Sequence, residues 1–500
     1  LIALKGVDMQ KVSNETERNA ASSPAGAARA SSPNKVLAIV CVGIVLANLD
    51  LFIVNVGLPN ISRDLNNSSL EDLSWILNGY AIAYAALLVF FGRLAERYRR
   101  DQSFLLGVAT FTAASAACAA ANSVEMLVVF RVVQAGGAAL MTPTSLGLLL
   151  ATFPPERRAT AVRTWTAIGG FAAALGPLVG GVLVTASWRW IFLVNVPIGI
   201  VALWIGWRKL PRIPGHEAPS PDPWAAALVV TGVASLTFAI VKCGDWGWHS
   251  RGVGASFAVA VVSIALLVVH CVRSSNPFID VGLFRIRQFS GASIAMAAFS
   301  AAFGAMLLSI VLWEQSVWGW SAMKIGAAIA IGPLLVPTVS LLFSKRLIAR
   351  FGTPWVMGAG VVCFSLGMAW WATTLAREPT LLGALVGMML TGVGVGLALP
   401  TLMGVGTASL PASSFATGSG VINMIRQAGM AIGVAALVTV LGSPESMGER
   451  IDGFRHGWWA IAVVVLFSLL PTWFLIRARG SQGGALAAIP TPIPVSKRVG

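Results

Sequence analysis

Long apolar runs recur along this chain, separated by short polar stretches, and each is long enough to cross a hydrocarbon core of about 30 Å. Fourteen can be drawn, at residues 36–57, 74–93, 103–121, 125–150, 160–186, 191–207, 224–241, 253–272, 290–313, 324–343, 355–375, 381–409, 414–441 and 457–476. They lack the alternation of period two that a membrane β-barrel requires. The pattern predicts an all-α polytopic membrane protein with fourteen transmembrane helices.

The polar residues that interrupt the pattern orient it. Basic residues crowd alternate loops: Arg93, Arg97, Arg99 and Arg100 after span 2, Arg157, Arg158 and Arg163 after span 4, and Arg208, Lys209 and Arg212 after span 6. The same holds for Arg273, Arg285 and Arg287 after span 8, Lys345, Arg346 and Arg350 after span 10, and Arg477 and Arg479 after span 14. The intervening loops are poorer in base or carry acids, among them Asp64, Glu71, Asp72, Glu445, Glu449 and Asp452. The positive-inside rule then puts both termini in the cytoplasm. Trp188, Trp190, Trp246, Trp248, Trp313, Trp318, Trp320, Trp458 and Trp459 gather near span ends and read as interfacial anchors.

Composition adds exclusions. Of 500 residues, 11% are charged, and the formal net charge is +15. The basic residues are spread over the inner loops and not pooled in one domain, so they are no nucleic-acid footprint. The 5 cysteines are scattered, with no disulfide framework and no metal spacing. Residues 1–35 are rich in Ala, Ser and Pro, without the apolar core and cleavage site of a signal peptide. They read as a disordered cytoplasmic tail, with Met9 a candidate start.

The longest polar break, RKLPRIPGHEAPSPDP at 208–223, is Pro-rich and separates six spans from the rest. The expected organisation is an N-terminal six-helix bundle at 36–207, a cytoplasmic linker at 208–223 and two inserted helices at 224–272. A second cytoplasmic linker at 273–289 leads to a C-terminal six-helix bundle at 290–476 and a cytoplasmic tail at 477–500. A basic cluster follows the second span of each six-span group, GRLAERYRR at 92–100 and SKRLIARFG at 344–352, which points to duplication.

A few polar residues stand where lipid-facing chemistry does not allow them. Asp50 lies well inside span 1, where a charge costs at least about 2.5 kcal/mol on insertion scales, so it faces a cavity or a partner. It is a candidate proton carrier or one half of a structural ion pair. Asn48 and Asn55 either line the same region or make helix–helix hydrogen bonds. Arg131 lies within span 4, one turn before Gln134. It cannot readily release its proton, so its work is to bias a carboxylate or hold a network. Arg426, with Gln427 and Asn423, is its counterpart in span 13. Glu314, beside Trp313 near the outer end of span 9, reads as interfacial. Glu96 stands among arginines after span 2, where topology explains the arginines but not the acid.

The stretch 165–199, WTAIGGFAAALGPLVGGVLVTASWRWIFLVNVPIG, concentrates glycine in an apolar span. At about 100° per residue, Gly169, Gly176 and Gly180 share one side of a helix. Such a stripe lets another helix's backbone come close. Pro177 inside it suggests a place where the helix bends or slides, beside the simpler reading of small-residue packing. No phosphate loop, metal-ligand cluster or nucleophile motif is present, so the chain reads as no enzyme and needs no cofactor. Uphill transport would then draw on an ion gradient.

Five separated segments carry a family resemblance. GRLAERYRR resembles the loop motif G-x-L-A-D-R-x-G-R-[RK] of the major facilitator superfamily, and RVVQAGGAA (131–139) its span 4 motif R-x-x-Q-G-x-G-x-A. LGPLVGG (175–181) is similar to the antiporter motif G-x-x-x-G-P-x-x-G-G of span 5. WRWIFLVNVPIG (188–199) and LDLFIVNVGLP (49–59) resemble segments of the fourteen-span drug:proton antiporter branch. The resemblance runs from about residue 36 to 476.

It implies two six-helix bundles rocking about a central cavity, with two extra helices inserted. It assigns proton coupling and substrate contact to Asp50, Arg131, Gln134, Asn55 and Arg426. The antiporter motif is Gly176, Pro177, Gly180 and Gly181, and the gating loop motif is Gly92, Glu96, Arg97 and Arg100. Glu96 replaces the usual Asp, Arg99 the usual Gly, Asp101 the last basic residue, and Ala135 the Gly after Gln134.

The function implied is proton-coupled efflux of hydrophobic or amphipathic compounds at the plasma membrane. Its partners are small-molecule substrates, protons and the lipid bilayer, and no nucleic acid. The alternatives are a dedicated exporter of one metabolite, siderophore or lipid, and more remotely a non-transporting membrane scaffold.

Overall fold

The computed structural model describes residues 32–65, 69–215, 222–274, 277–410, 415–442 and 444–473. Most of the N-terminal tail, the C-terminal tail with Arg477 and Arg479, residues 216–221 of the first linker, and the side chains of Glu96 and Arg163 lie outside the described residues. The described residues contain 14 helices long and apolar enough to span a membrane, in the order expected from the hydropathy pattern.

They are α1 Pro33–Asp64, α2 Leu70–Arg97, α3 Arg100–Ala119, α4 Val124–Thr152 and α5 Pro155–Val184. α6 runs over Trp190–Lys209. α7 Pro223–Trp246, α8 Arg251–Arg273 and α9 Arg287–Ser316 follow. α10 covers Ala322–Phe351. α11 Thr353–Thr374, α12 Leu381–Ala408 and α13 Phe415–Leu441 lead to α14, Met447–Pro471.

Lipid leaves a spanning segment no water to bond its backbone, so each apolar run closes its own hydrogen bonds as a helix. Four of the even-numbered helices, α2, α4, α10 and α14, are capped by serine. Ser69, Ser123, Ser321 and Ser446 accept from Asp72, Met126, Lys324 and Glu449 N–H respectively. The cap at Ser446 starts α14 ten residues earlier than hydropathy alone suggests. Glu449 and Asp452 therefore lie in its first turns and not in a loop, where acids complement the helix dipole.

Close glycine contacts hold the two bundles, and the same pairings recur in both. In the first, a Cβ on Gly107 of α3 would meet the Met141 amide nitrogen at 2.8 Å, and one on Gly137 of α4 would meet that of Phe111 at 2.6 Å. In the second, Gly360 of α11 and Gly394 of α12 stand in the same relation, 2.8 Å from Ala398 N and 2.7 Å from Phe364 N. The pair α1–α5 is matched by α9–α13, where a Cβ on Gly433 would fall 1.8 Å from the Ala301 carbonyl oxygen. The duplication that the basic clusters suggest is thus repeated in the helix contacts.

The hairpin α7–α8 lies at one seam between the bundles. Val230, Val233 and Ala234 of α7 pack against Ala81 and Ile82 of α2 and Ala431 of α13. Lys242 pairs with Glu71 at 2.6 Å, and Thr439 donates to the Ile240 carbonyl at 2.6 Å. Asp222 caps α7 through the amides of Trp224 and Ala225 and bonds His270 of α8.

Two groups of sequence expectations change. Trp190, Trp246, Trp248 and Trp459 are exposed, as anchors should be, but Trp188, Trp313, Trp318, Trp320 and Trp458 are buried. Four of these form one aromatic cluster, with Trp313 and Trp458 ring centroids 4.9 Å apart and Trp318 and Trp320 4.7 Å apart. Glu314 is not interfacial either. Its exposure is 0%, because the connection 317–321 folds back over the end of α9, with Trp320 N–H donating to the Glu314 carbonyl oxygen at 3.0 Å.

Candidate functional site

The polar residues of α1 and α4 converge in the N-terminal bundle. Asp50, Arg131, Gln134, Ser115 and Asn195 all have 0% exposure. Arg131 Nη1 donates to Asp50 Oδ2 and, at 2.7 Å, to Gln134 Oε1. Gln134 Nε2 donates to Asp50 Oδ1 and to Ser115 Oγ, both at 2.8 Å. Asn195 Nδ2 reaches Asp50 Oδ1 at 3.2 Å. Arg131 Nε donates to the Ile76 carbonyl at 3.3 Å, and its guanidinium carbon lies 4.1 Å from the centre of the Tyr80 ring. Both oxygens of the Asp50 carboxylate thus meet donors from other helices, which is what holding a charge in an apolar interior calls for.

The local sequence explains the convergence. Arg131 and Gln134 are three residues apart and share a face of α4. The close α3–α4 approach at Gly107 and Gly137 brings Ser115 to that face. Asn195 comes from WRWIFLVNVPIG, and the rest of that segment fixes it there. Trp188 Nε1 and Arg189 Nη1 both donate to Asp64 Oδ2 at 2.8 Å. The Ile191 side chain packs where Gly57 leaves room, and Gly199 lets α6 lie on Thr112.

Other expected site residues lie elsewhere. Asn55 donates only to the carbonyls of Leu51 and Phe52 in its own helix, at 3.3 and 3.5 Å, and is not in the network. Arg426 is half-buried on α13, close enough to Tyr84 to act on it electrostatically, and its Nε has no hydrogen-bond partner. Tyr84 stacks on Tyr80 with ring centroids 5.9 Å apart and shares a hydrogen bond with Thr142. The two arginines therefore stand near opposite ends of a tyrosine pair on α2, Arg131 from the same bundle and Arg426 from the other.

The antiporter-motif glycines form two faces of α5. A Cβ on Gly176 would fall 2.9 Å from the Phe52 Cβ, and one on Gly180 2.9 Å from Ile53 Cγ1, so this face rests on α1. Gly181 faces α10, 2.6 Å from the Ala322 carbonyl oxygen, and Gly326 of α10 answers it 2.3 Å from the Pro177 oxygen. In the gating loop motif, Arg100 donates to the Gly147 carbonyl at 3.1 Å, while Arg97 is exposed and Gly92 is loosely packed on Pro143. Two of the three departures in this motif compensate each other: Arg99 and Asp101 form an ion pair at 2.6 Å. Arg99 has φ −59°, a conformation open to any residue, so the turn needs no glycine there.

The comparisons with known proteins agree with this geometry. The Major Facilitator Superfamily model matches residues 40–434. The chain belongs to the major facilitator superfamily. It is 31% identical over 472 residues to the methylenomycin A resistance protein of Streptomyces coelicolor, covering 93% of this chain and 97% of that one. It is likewise 31% identical to the tetracenomycin C resistance and export protein of Streptomyces glaucescens, over 90% of this chain and 82% of the relative. The multidrug resistance protein Stp of Mycobacterium tuberculosis is 32% identical over 80% of this chain and 74% of its own length. The POT family transporter PepTSo shares the fold, with a TM-score of 0.66 at 15% identity over 90% of this chain and 99% of that structure.

This superfamily member is a multi-pass membrane transporter of the efflux type, acts on small molecules, and is not an enzyme. Sequence reasoning missed Asn195, Ser115 and the Tyr80 platform. An Asn inside an otherwise apolar resemblance segment was the available signal. Replacing Asn195 with Ala removes one of the donors to Asp50 and nothing from the α6 backbone. We expect a loss of about 1.5–3 kcal/mol in thermal unfolding of the purified protein, the range for a hydrogen bond to a charged group. An unchanged melting temperature would show that the bond contributes nothing.

Proposed function

We infer that this transporter exports hydrophobic or amphipathic compounds, cationic molecules and natural products among them, in exchange for protons by alternating access. The observation that carries this is the buried Asp50 network. A carboxylate there accepts from Arg131, Gln134 and Asn195, and every partner is a donor. Protonation turns one carboxyl oxygen into a donor, which then faces another donor. The acid must leave Arg131 or the amides, or the Asn195 amide must turn to offer its Oδ1, which has no partner among the described residues; in each case proton uptake and network rearrangement are one event. A freed Arg131 would remain a buried charge, which drives further movement of α4 against α1.

The energy source is the proton gradient, with no cofactor: each proton crossing 100 mV releases about 2.3 kcal/mol. The inner loops are basic, which supports cytoplasmic termini and a plasma-membrane location. Relatives named for methylenomycin A and for tetracenomycin C keep the dedicated exporter of one compound as the second reading. The test is efflux of a panel of dyes and antibiotics from cells with and without the gene. We expect export of several unrelated apolar compounds, each collapsing on addition of a protonophore. Export of a single compound favours the dedicated exporter, and export indifferent to the protonophore removes proton coupling.

A further inference from the structure

The chain buries two carboxyl groups in its membrane interior in opposite ways. Asp50 is surrounded by donors from α4 and α6: Arg131, Gln134 and Asn195. Glu314 of α9 has 0% exposure, and among the described residues neither of its side-chain oxygens has a hydrogen-bond partner. A carboxylate in such a place would cost far more than a protein's whole stability, whereas the neutral acid costs roughly 2–7 kcal/mol or less. The first cavity is built for the charge and the second for the uncharged acid, a pairing that separates two proton sites in one protein.

Its position gives this a consequence. Glu314 lies eleven residues beyond Phe303, about three turns along the same side of α9. Phe303 rests on Phe52 of α1, ring centroids 6.3 Å apart, so this side of α9 is the contact between the bundles. The outer end of that contact is shut. Gly181 and Gly326 hold α5 on α10, and Trp318 and Trp320 fold over the end of α9. Opening the outer side separates these elements and brings Glu314 to water.

No surrounding charge among the described residues forms an ion pair with the acid. Lys324 of α10 acts on it electrostatically but is exposed, its ammonium 4.0 Å over the Trp320 ring. Arg450 of α14 donates to the Ser316 carbonyl at 3.5 Å, and Asp452, Arg455 and His456 of that helix are exposed. On α1, Asp50 is bonded to Arg131, and Asp64 to Trp188 and Arg189. Arg426 of α13 is half-buried beside Tyr84, and α12 carries no charged side chain.

We propose that Glu314 is a second proton-binding site, loaded from the outer side, and that its protonation is the condition for closing that side. The proposal rests on the alternating-access reading but not on Asp50 carrying a proton. In the open form Glu314 is hydrated and free to ionise. It takes one proton from the outer solution before α5, α9 and α10 come together, and returns it there on reopening. Its proton sets the gate and is not the one exchanged for cargo.

The experiment needs no substrate. Purified full-length protein is treated with dicyclohexylcarbodiimide, which adds to protonated carboxyls in apolar surroundings, and peptides are mapped by mass spectrometry. An adduct on Glu314 at neutral pH is expected in the wild type and in Asp50→Asn. Its absence from both overturns the proposal. Hydrogen exchange of peptides covering 313–326 is then followed between about pH 6 and 9, wild type against Glu314→Gln at each pH so that intrinsic rates cancel. The wild type should open on alkalinisation, exchanging at least fivefold faster than the variant at the top of the range. Glu314→Met, equally uncharged, should behave as the Gln variant does and serves if that variant folds poorly. Identical profiles in wild type and variants overturn the proposal. Loss of protonophore-sensitive export with these profiles intact would count against the exchange reading alone.

Discussion

Replacing Asp50 with Asn abolishes proton-driven uptake of a dye into everted vesicles, by at least tenfold, while downhill movement of the same dye persists. The amide cannot exchange a proton in the physiological range, so on the proton-exchange reading the cycle has nothing to trade for cargo. It also presents an N–H₂ group to a site where Arg131, Gln134 and Asn195 all donate. One donor must lose its acceptor, as when the native acid is protonated. Thermal stability should fall with activity, because removing one member of a buried pair costs about 3–5 kcal/mol. Arg131→Ala should destabilise by a similar amount, leaving the carboxylate with two amide donors. The double variant Asp50→Asn with Arg131→Ala should cost less than the sum of the two, since neither charge is then stranded. Full uphill uptake by Asp50→Asn at normal expression would end the proton role of this residue.

The second large effect belongs to the seam between α5 and α10. Gly181→Ala places a methyl group 2.6 Å from the Ala322 carbonyl oxygen and 3.1 Å from the Met323 Cα. Both are backbone atoms of a neighbouring helix, so the helices must part. Overpacking of this kind costs about 1–3 kcal/mol, and about 2 kcal/mol moves a two-state equilibrium roughly thirtyfold away from the closed outer end. We expect export to fall at least tenfold with the protein still folded and inserted. Gly170→Ala is the control on the same helix: its Cβ would meet only the Pro337 Cβ at 3.9 Å, an ordinary contact. Equal export by the two variants would show that the close approach at Gly181 has no part in the cycle.

The spans were legible because lipid makes the problem nearly one-dimensional: a run of apolar residues has no stable alternative to a helix. Asp50, Arg131 and Gln134 were legible for the related reason that polar side chains in such runs need partners. What those partners are depends on which helices touch. Asn195 and Ser115 are small polar residues that an apolar run tolerates, and only the packing of α3, α4 and α6 brings them to Asp50. Asn55 shows the converse, since a polar residue one turn from Asp50 can satisfy itself on its own helix. Hydropathy puts Glu314 and Trp188 at span ends, where the surface is the default. A folded-back connection buries the first and the Asp64 carboxylate fixes the second. The glycine stripe announced a close contact, and the structure adds that Gly176 and Gly180 serve α1 while Gly181 serves α10.

The hairpin α7–α8 makes the two seams unequal. At the seam of α2 and α13 it is stitched to both sides, by Lys242 to Glu71 and by Thr439 to the Ile240 carbonyl. Parting those helices means breaking the stitches or dragging two extra spans through lipid. The seam of α5 and α10 meets through bare backbone at Gly181 and Gly326. On the alternating-access reading, the seam of α2 and α13 is bound like the spine of a book, and the seam of α5 and α10 is the fore-edge where backbone meets backbone.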